Sequence, residues 1–124
     1  MSTAFRRAVE ARDLEAVAGL LAEEVVLHSP VTHRPFEGRE VVLVVLGAVI
    51  EVFEDFVYID EMERDGGRAT MLRFTARVGD RQLEGVDLIV LDADGRIADL
   101  TVMVRPLSGL QALAEGMAAR LGSG

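Results

Sequence analysis

In "VVLHSPV", residues 25 to 31, a histidine stands beside a serine at the end of an apolar run. A serine nucleophile needs a base within hydrogen-bond reach, and His28 next to Ser29 raises that chemistry. Neighbouring side chains of a regular strand face opposite sides, so His28 is badly placed to deprotonate Ser29. Leu27 and Ser29 then share one side, with His28 on the other. A second chemical group is Asp87, in "EGVDLIVL". A carboxylate among apolar residues must be paired, or its pKa must rise until it is neutral. That makes Asp87 the leading acid/base or oxyanion-donor candidate. The alternative is that it bonds a nearby backbone group or arginine, or that a bulge turns it outward. Tyr58, the only tyrosine, reads as a core or pocket-rim residue before it reads as a proton donor. Tyr58 and His28 complete the list of catalytic candidates.

Metal and cofactor signals are thin. His28 and His33, with Glu37 nearby, lack a fixed third ligand, so no metal is expected. "DADG", Asp92 to Gly95, imitates the start of a calcium loop, but the twelfth position holds Met103, so it reads as a hairpin turn. Neither glycine-rich nucleotide fingerprint occurs. No cofactor is expected.

At 124 residues the chain reads as one domain, residues 1–124, long enough for a single core. It has no cysteine, which removes thiol chemistry and suits the cytoplasm. All thirteen cationic side chains are arginine, so a lysine Schiff base is excluded. A formal charge of −8 argues against nucleic acid, which needs a basic face. The ten apolar residues Val41 to Ile50 are about half of a membrane span and are flanked by Glu40, Glu51, Glu54 and Asp55. Arg6, Arg7, Glu10 and Arg12 interrupt the first segment, which therefore lacks a signal-peptide core. The expectation is a cytoplasmic protein without a membrane partner.

The elements that must position these groups follow from periodicity. Phe5, Ala8 and Val9 share a helical face. Asp13 can cap a second helix carrying Leu14, Val17, Ala18 and Leu21, ending near Glu23 and Glu24. "VVLHSPV" reads as a short strand closed by Pro30 and the loop "THRPFEG". From Arg39 to Glu54 the β-branched residues favour a strand, whereas sixteen residues without a turn signal suit a buried helix. "FVYIDEMER", "RATMLRFTARV", "RQLEGVDLIVL" and "RIADLTVMV" then read as an antiparallel meander joined by Gly/Asp turns. After Pro106, Ser108 and Gln111 suggest a capping box for a last amphipathic helix with Leu110, Leu113, Ala114, Met117 and Leu121. The methionines at 62, 71, 103 and 117 read as core filler. The fold class is α+β.

If Gly79 and Asp80 form a hairpin tip, Val78 faces Arg81, Phe74 faces Gly85 and Leu72 faces Asp87. Thr70, Leu72, Phe74, Ala76, Leu83, Gly85, Asp87, Ile89 and Leu91 then share one face, and Asp87 is its only charge. The opposite face carries Val86, Leu88 and Val90, with Met103, inside a rim of Arg73, Arg77, Glu84, Asp99 and Arg105. Such a patch suggests sheet-to-sheet homodimerisation, unless the C-terminal helix lies across it.

The order helix, helix, "EEVVLHSPV", "FEGRE", long helix, then "EGVDLIVLDADGRIADLTVMVRP" resembles the nuclear transport factor 2-like superfamily, in its SnoaL-like and ketosteroid isomerase-like branch. The resemblance implies a cystatin-like cone, in which a curved antiparallel sheet and three helices enclose a pocket, with a C-terminal helix added. Steroid isomerase-type members use a base carboxylate, plus a tyrosine and a protonated aspartate that bind the enolate oxygen. Carried over, the base position falls on Ser29 in "LHSP", the tyrosine on Phe5, and the aspartate on Asp87. A hydroxyl does not replace a carboxylate as base, and Phe5 offers no donor, so steroid-type isomerisation is not supported. The Arg-x-Asp pair of epoxide hydrolase-like members is absent. SnoaL-like cyclases ask for a pocket aspartate, which Asp87 could supply.

Two functions remain open. One is a non-catalytic module binding a small apolar molecule in a pocket of Phe5, Leu27, Ser29, Leu72, Phe74, Asp87 and Ile89. The other is a cofactor-independent isomerase, cyclase or dehydratase for a small hydrophobic, polyketide- or terpenoid-like substrate, with Asp87 as acid/base or oxyanion donor. The discriminating feature is a partner within about 3 Å of Asp87, supplied by His28, His33, Tyr58 or Ser29.

Overall fold

A computed structural model describes residues 2–121. Its order is α1 (Ser2–Glu10), α2 (Leu14–Leu20), β1 (Leu21–His28), β2 (Phe36–Glu37), α3 (Arg39–Val52), β3 (Glu54–Arg64), a 3-10 turn (Asp65–Gly67), β4 (Ala69–Val78), β5 (Arg81–Leu91), β6 (Ile97–Arg105) and α4 (Leu107–Leu121). The fold is α+β, with helices gathered on one face of a six-stranded sheet ordered β2-β1-β6-β5-β4-β3.

Phe5 and Ala8 are buried on α1. Asp13 caps α2, its Oδ1 accepting the Ala16 N–H at 3.1 Å, a contact typically worth about 1 kcal/mol. The helix stops at Leu20, sooner than its apolar spacing implies, because Leu21 is already extended and starts β1. Leu21 is still fully buried, so one apolar residue satisfies either periodicity and no turn residue marks the junction. In α3 the ambiguity of the β-branched run is resolved as helix. Val42, Val45, Ala48 and Val52 recur at helical spacing on its buried face, and packing overrides their strand propensity. At 14 residues α3 is not long enough to cross a membrane, and no described helix is.

The meander β3–β4–β5–β6 is antiparallel throughout, with the hairpin pairs Val78↔Arg81, Phe74↔Gly85 and Leu72↔Asp87. Beyond the meander the sheet is mixed: β1 joins β6 in parallel, through Val26↔Asp99 and His28↔Thr101. The long connection through α3 and the meander gives the chain room to re-enter in that direction. Leu72, Phe74, Ala76, Leu83, Asp87, Ile89 and Leu91 are all buried on the concave face. Gly85 is required there. A Cβ would lie 2.6 Å from the Phe74 ring and collide with the Met103 carbonyl, so only glycine lets that ring lie across β5.

The last helix begins at Leu107, with the Leu110 N–H bonding the Pro106 carbonyl at 3.0 Å. Ser108 is therefore inside the first turn, not ahead of it, and the expected capping box with Gln111 does not mark the start. The helix packs on the concave side, where Gly109 abuts Leu83 and Gly116 abuts Val52. It leaves the outer sheet face uncovered. Met103 and Met62 are exposed there at 54% and 56%, so the core-filler reading fails for both, while Met117 is buried.

Candidate functional site

The helices and the concave face leave a cavity of ≈ 260 Å³ among mostly apolar walls. Four rings shape one side of it. Phe56 stacks on Phe53 at 5.5 Å and on Phe74 at 4.8 Å, and meets the Tyr58 ring edge-on at 4.9 Å. Gly85 provides the space that Phe74 needs, so a strand glycine shapes the chamber indirectly.

Inside this apolar surround, the Tyr58 hydroxyl donates to Asp87 Oδ2 at 2.7 Å. The two side chains come from different strands: Tyr58 pairs with Phe74 across β3–β4, and Asp87 pairs with Leu72 across β4–β5. Both residues are buried, at 4% and 6% exposure. Burial pushes the Asp87 carboxyl from an ordinary 3.8 up to about 7, against the opposing effect of the Tyr58 hydrogen bond. Burial also pushes the Tyr58 phenol well above its usual range, and the Asp87 charge and hydrogen bond add to the rise. Near neutrality, therefore, the phenol keeps its proton and Asp87 is close to its titration midpoint. Such a pair can donate a hydrogen bond to a ligand oxygen, or hold a proton for transfer.

Ser29, Leu27, Phe5 and Phe74 line the same cavity. The Ser29 Oγ accepts the Val31 N–H at 3.1 Å, so its hydroxyl also braces the turn after β1. Leu72 and Ile89 do not line the cavity, which corrects their place in the expected pocket. They are buried at 0% and 4%, in a part of the concave face filled by packed side chains. His28 lies on the other side of the sheet, where its Nε2 is 3.1 Å from Asp99 Oδ2. Thr101 Oγ1 lies 3.4 Å from Asp99 Oδ1. This outer cluster has no third metal ligand, and no group of three potential ligands forms among the described residues.

Of the four suppliers considered for Asp87, the partner is Tyr58. Two bulges explain why sequence reasoning ranked it low. The β3–β4 register slips between Glu54 and Val57 and again between Tyr58 and Asp60, so counting along the strand does not reveal which side Tyr58 takes. Three charged lining residues, Glu10, Arg12 and Asp55, were missed altogether. Glu10 Oε2 accepts the Tyr58 backbone N–H at 3.2 Å. Arg12 donates to the Ile50 carbonyl, and Asp55 is held by Arg77 at 2.7 Å. The available signal was that α1, with Phe5 and Val9 facing inward, ends on Glu10. Arg12 and Asp55 adopt left-handed backbone, which no residue pattern announced.

A crystal structure described as a steroid delta-isomerase from Pseudomonas aeruginosa is 47% identical, with a TM-score of 0.91 over 96% of this chain and 87% of that one. An uncharacterized protein with a cystatin-like fold from Silicibacter pomeroyi is 35% identical, with a TM-score of 0.91 over 96% and 83%. An NTF2-like protein of unknown function from Mesorhizobium loti shares the fold, with 22% identity and a TM-score of 0.72 over 82% and 85%. No protein of curated function matches significantly in sequence. The SnoaL-like domain model matches residues 2–100, and the chain belongs to that family, within the nuclear transport factor 2-like fold.

Proposed function

We propose that the cavity binds a small, mainly apolar molecule carrying one carbonyl or hydroxyl oxygen, and that Asp87 with Tyr58 grips that oxygen. The observation that carries this reading is the 2.7 Å Tyr58–Asp87 contact inside an apolar chamber. Apolar walls with a few convergent polar groups are what a small-molecule site needs. Binding without turnover fits the base position, where Ser29 supplies a hydroxyl and no carboxylate. A fluorescence titration with 2-naphthol at pH 6 tests it. Wild type should bind, and Asp87→Leu should weaken binding by about tenfold or more, as loss of a buried hydrogen bond implies. Equal affinity in both would overturn the reading.

A second reading is favoured by the same contact. A proton poised near neutrality beside a phenol is acid/base equipment, as in a cofactor-independent isomerase, cyclase or dehydratase. The likeness to a protein described as a steroid delta-isomerase points the same way. Steroid-type chemistry in this chain is opposed by Ser29 and Phe5, which supply neither base nor donor.

The partner side of the proposal is a homodimer through the outer sheet face. Val86, Leu88 and Val90, with exposed Met103, form an apolar stripe that α4 leaves open. Light scattering at micromolar concentration should give twice the 13.5 kDa chain mass, and a monomer would overturn it. The absence of cysteine supports a cytoplasmic location, which cell fractionation checks.

A further inference from the structure

We propose that Arg12 is an anion anchor of the cavity, so that its ligand is an apolar acid, with one oxygen on Asp87 and Tyr58 and a carboxylate on Arg12. This assignment deepens the binding reading above and rests on it. The lining divides by exposure. Asp87 and Tyr58 lie in its buried part, whereas Glu10, Arg12, Val31 and Asp55 are its exposed residues. Arg12 is the one cation among the described residues that line the cavity. A guanidinium carries several donors in a planar fork and keeps its charge at every working pH. One donor of Arg12 is used, on the Ile50 carbonyl, and no ion pair of Arg12 is found among the described residues.

The backbone makes an arginine at this position informative. The Arg12 N–H bonds the Val9 carbonyl at 3.0 Å, and the Asp13 N–H bonds the Ala8 carbonyl at 2.9 Å, the paired bonds of a Schellman ending to α1. Arg12 holds the left-handed position of that motif, with a φ of 59°, where glycine is preferred and a side chain is strained. The Ile50 contact explains part of what the side chain does, since it satisfies a carbonyl in the last turn of α3. The rest of the fork is left for a ligand.

The neighbouring charges select that ligand. Asp55 is neutralised by Arg77 at 2.7 Å, and Glu10 turns to the β3 main chain, accepting the Tyr58 N–H at 3.2 Å. Arg12 turns to α3, and neither carboxylate pairs with it. A single unpaired guanidinium matches one negative charge, and a planar carboxylate can accept two parallel N–H bonds from its fork. The Glu10 charge on the same exposed part of the lining disfavours a dianion such as a phosphate monoester.

The test uses calorimetric titration at pH 6 with one hydroxyphenyl frame and three chain ends: 4-(4-hydroxyphenyl)butanoate, the corresponding butanamide, and 4-(3-aminopropyl)phenol. The flexible chain lets each end group find its own partner. Wild type should bind the carboxylate about threefold to tenfold tighter than the amide, and added salt should shrink that preference. The ammonium should bind most weakly. Arg12→Gly suits the left-handed backbone, and its carboxylate-to-amide ratio should fall to about one. Arg12→Lys keeps the charge without the fork and should lie between. A carboxylate preference that survives Arg12→Gly overturns the anchor, and so does equal binding of carboxylate and amide by wild type. Tightest binding of the ammonium also overturns it, and gives the exposed lining to Glu10 and Asp55. An equal loss of all three affinities in Arg12→Gly assigns Arg12 to the fold alone and overturns it as well. Failure of all three probes where 2-naphthol binds overturns the anchor and leaves the binding reading standing. Failure of 2-naphthol too overturns the binding reading, and this assignment with it.

Discussion

Two aspartates on adjacent strands meet different partners, on opposite faces of the same sheet. Asp87 on β5 receives the Tyr58 hydroxyl at 2.7 Å, and Asp99 on β6 lies 3.1 Å from His28 Nε2. The outer pair has the more familiar catalytic residue types, and the sequence places its histidine beside a serine. Its side chains are 43% and 41% exposed, so water competes for both groups and screens their charges. The inner pair is buried, at 4% and 6% exposure. Burial disfavours the charged form of Asp87 and moves its titration to about 7. The contact distances are similar, so burial separates a solvated surface contact from a carboxyl whose titration is moved to about 7.

The largest effect expected from this contrast is in the pH dependence of stability. Between an ordinary 3.8 and about 7, the folded state keeps a proton on Asp87 that the unfolded chain has lost. Stability from this group is therefore fully present below about pH 4, falls as pH rises and levels off above about 7. The loss is on the order of 4 kcal/mol. Asp87→Asn carries no such proton, so the wild-type minus variant stability should decline by that order from pH 4 to pH 8 in urea unfolding. A flat difference would remove the distinction between the two pairs.

A smaller effect is expected from Tyr58→Phe. Removing the hydroxyl takes away the one influence that lowers the Asp87 pKa, so its midpoint should move above about 7. The buried carboxyl also loses a partner, at a cost of about 1–3 kcal/mol by denaturation. The smallest effect is expected on the outer face. His28→Ala should change stability by no more than about 1 kcal/mol, and added salt should shrink that difference. A larger, salt-insensitive loss would show that the outer pair is embedded in an interface, as a sheet-to-sheet dimer would require.

The contrast also explains what could be read from the sequence. One hairpin tip at Gly79–Asp80, with strict alternation, is enough to place Asp87 opposite Leu72 on the buried face. The same alternation sends His28 outward from Leu27 and Ser29. Tyr58 was harder to place because β3 carries two register slips, and each one cancels a period-2 argument. Leu72 and Ile89 show a different limit. Sequence pattern gives the face a residue takes, but whether that face is filled or hollow depends on packing from α1, α3 and α4. Likewise α2 runs into β1 at Leu21 without a turn residue, and Met62 and Met103 look like core by composition yet lie on the open face. Glu10 and Asp55 line the cavity through chain geometry at element ends, which periodicity does not describe.

The central claim is that burial holds the proton on Asp87 to neutral pH, against the lowering effect of the Tyr58 hydrogen bond. Its side-chain carboxyl carbon can be followed by NMR from pH 3 to pH 9 in selectively labelled protein. A midpoint near 7 is the predicted result. A midpoint near 4, the ordinary value for an aspartate, would contradict the account.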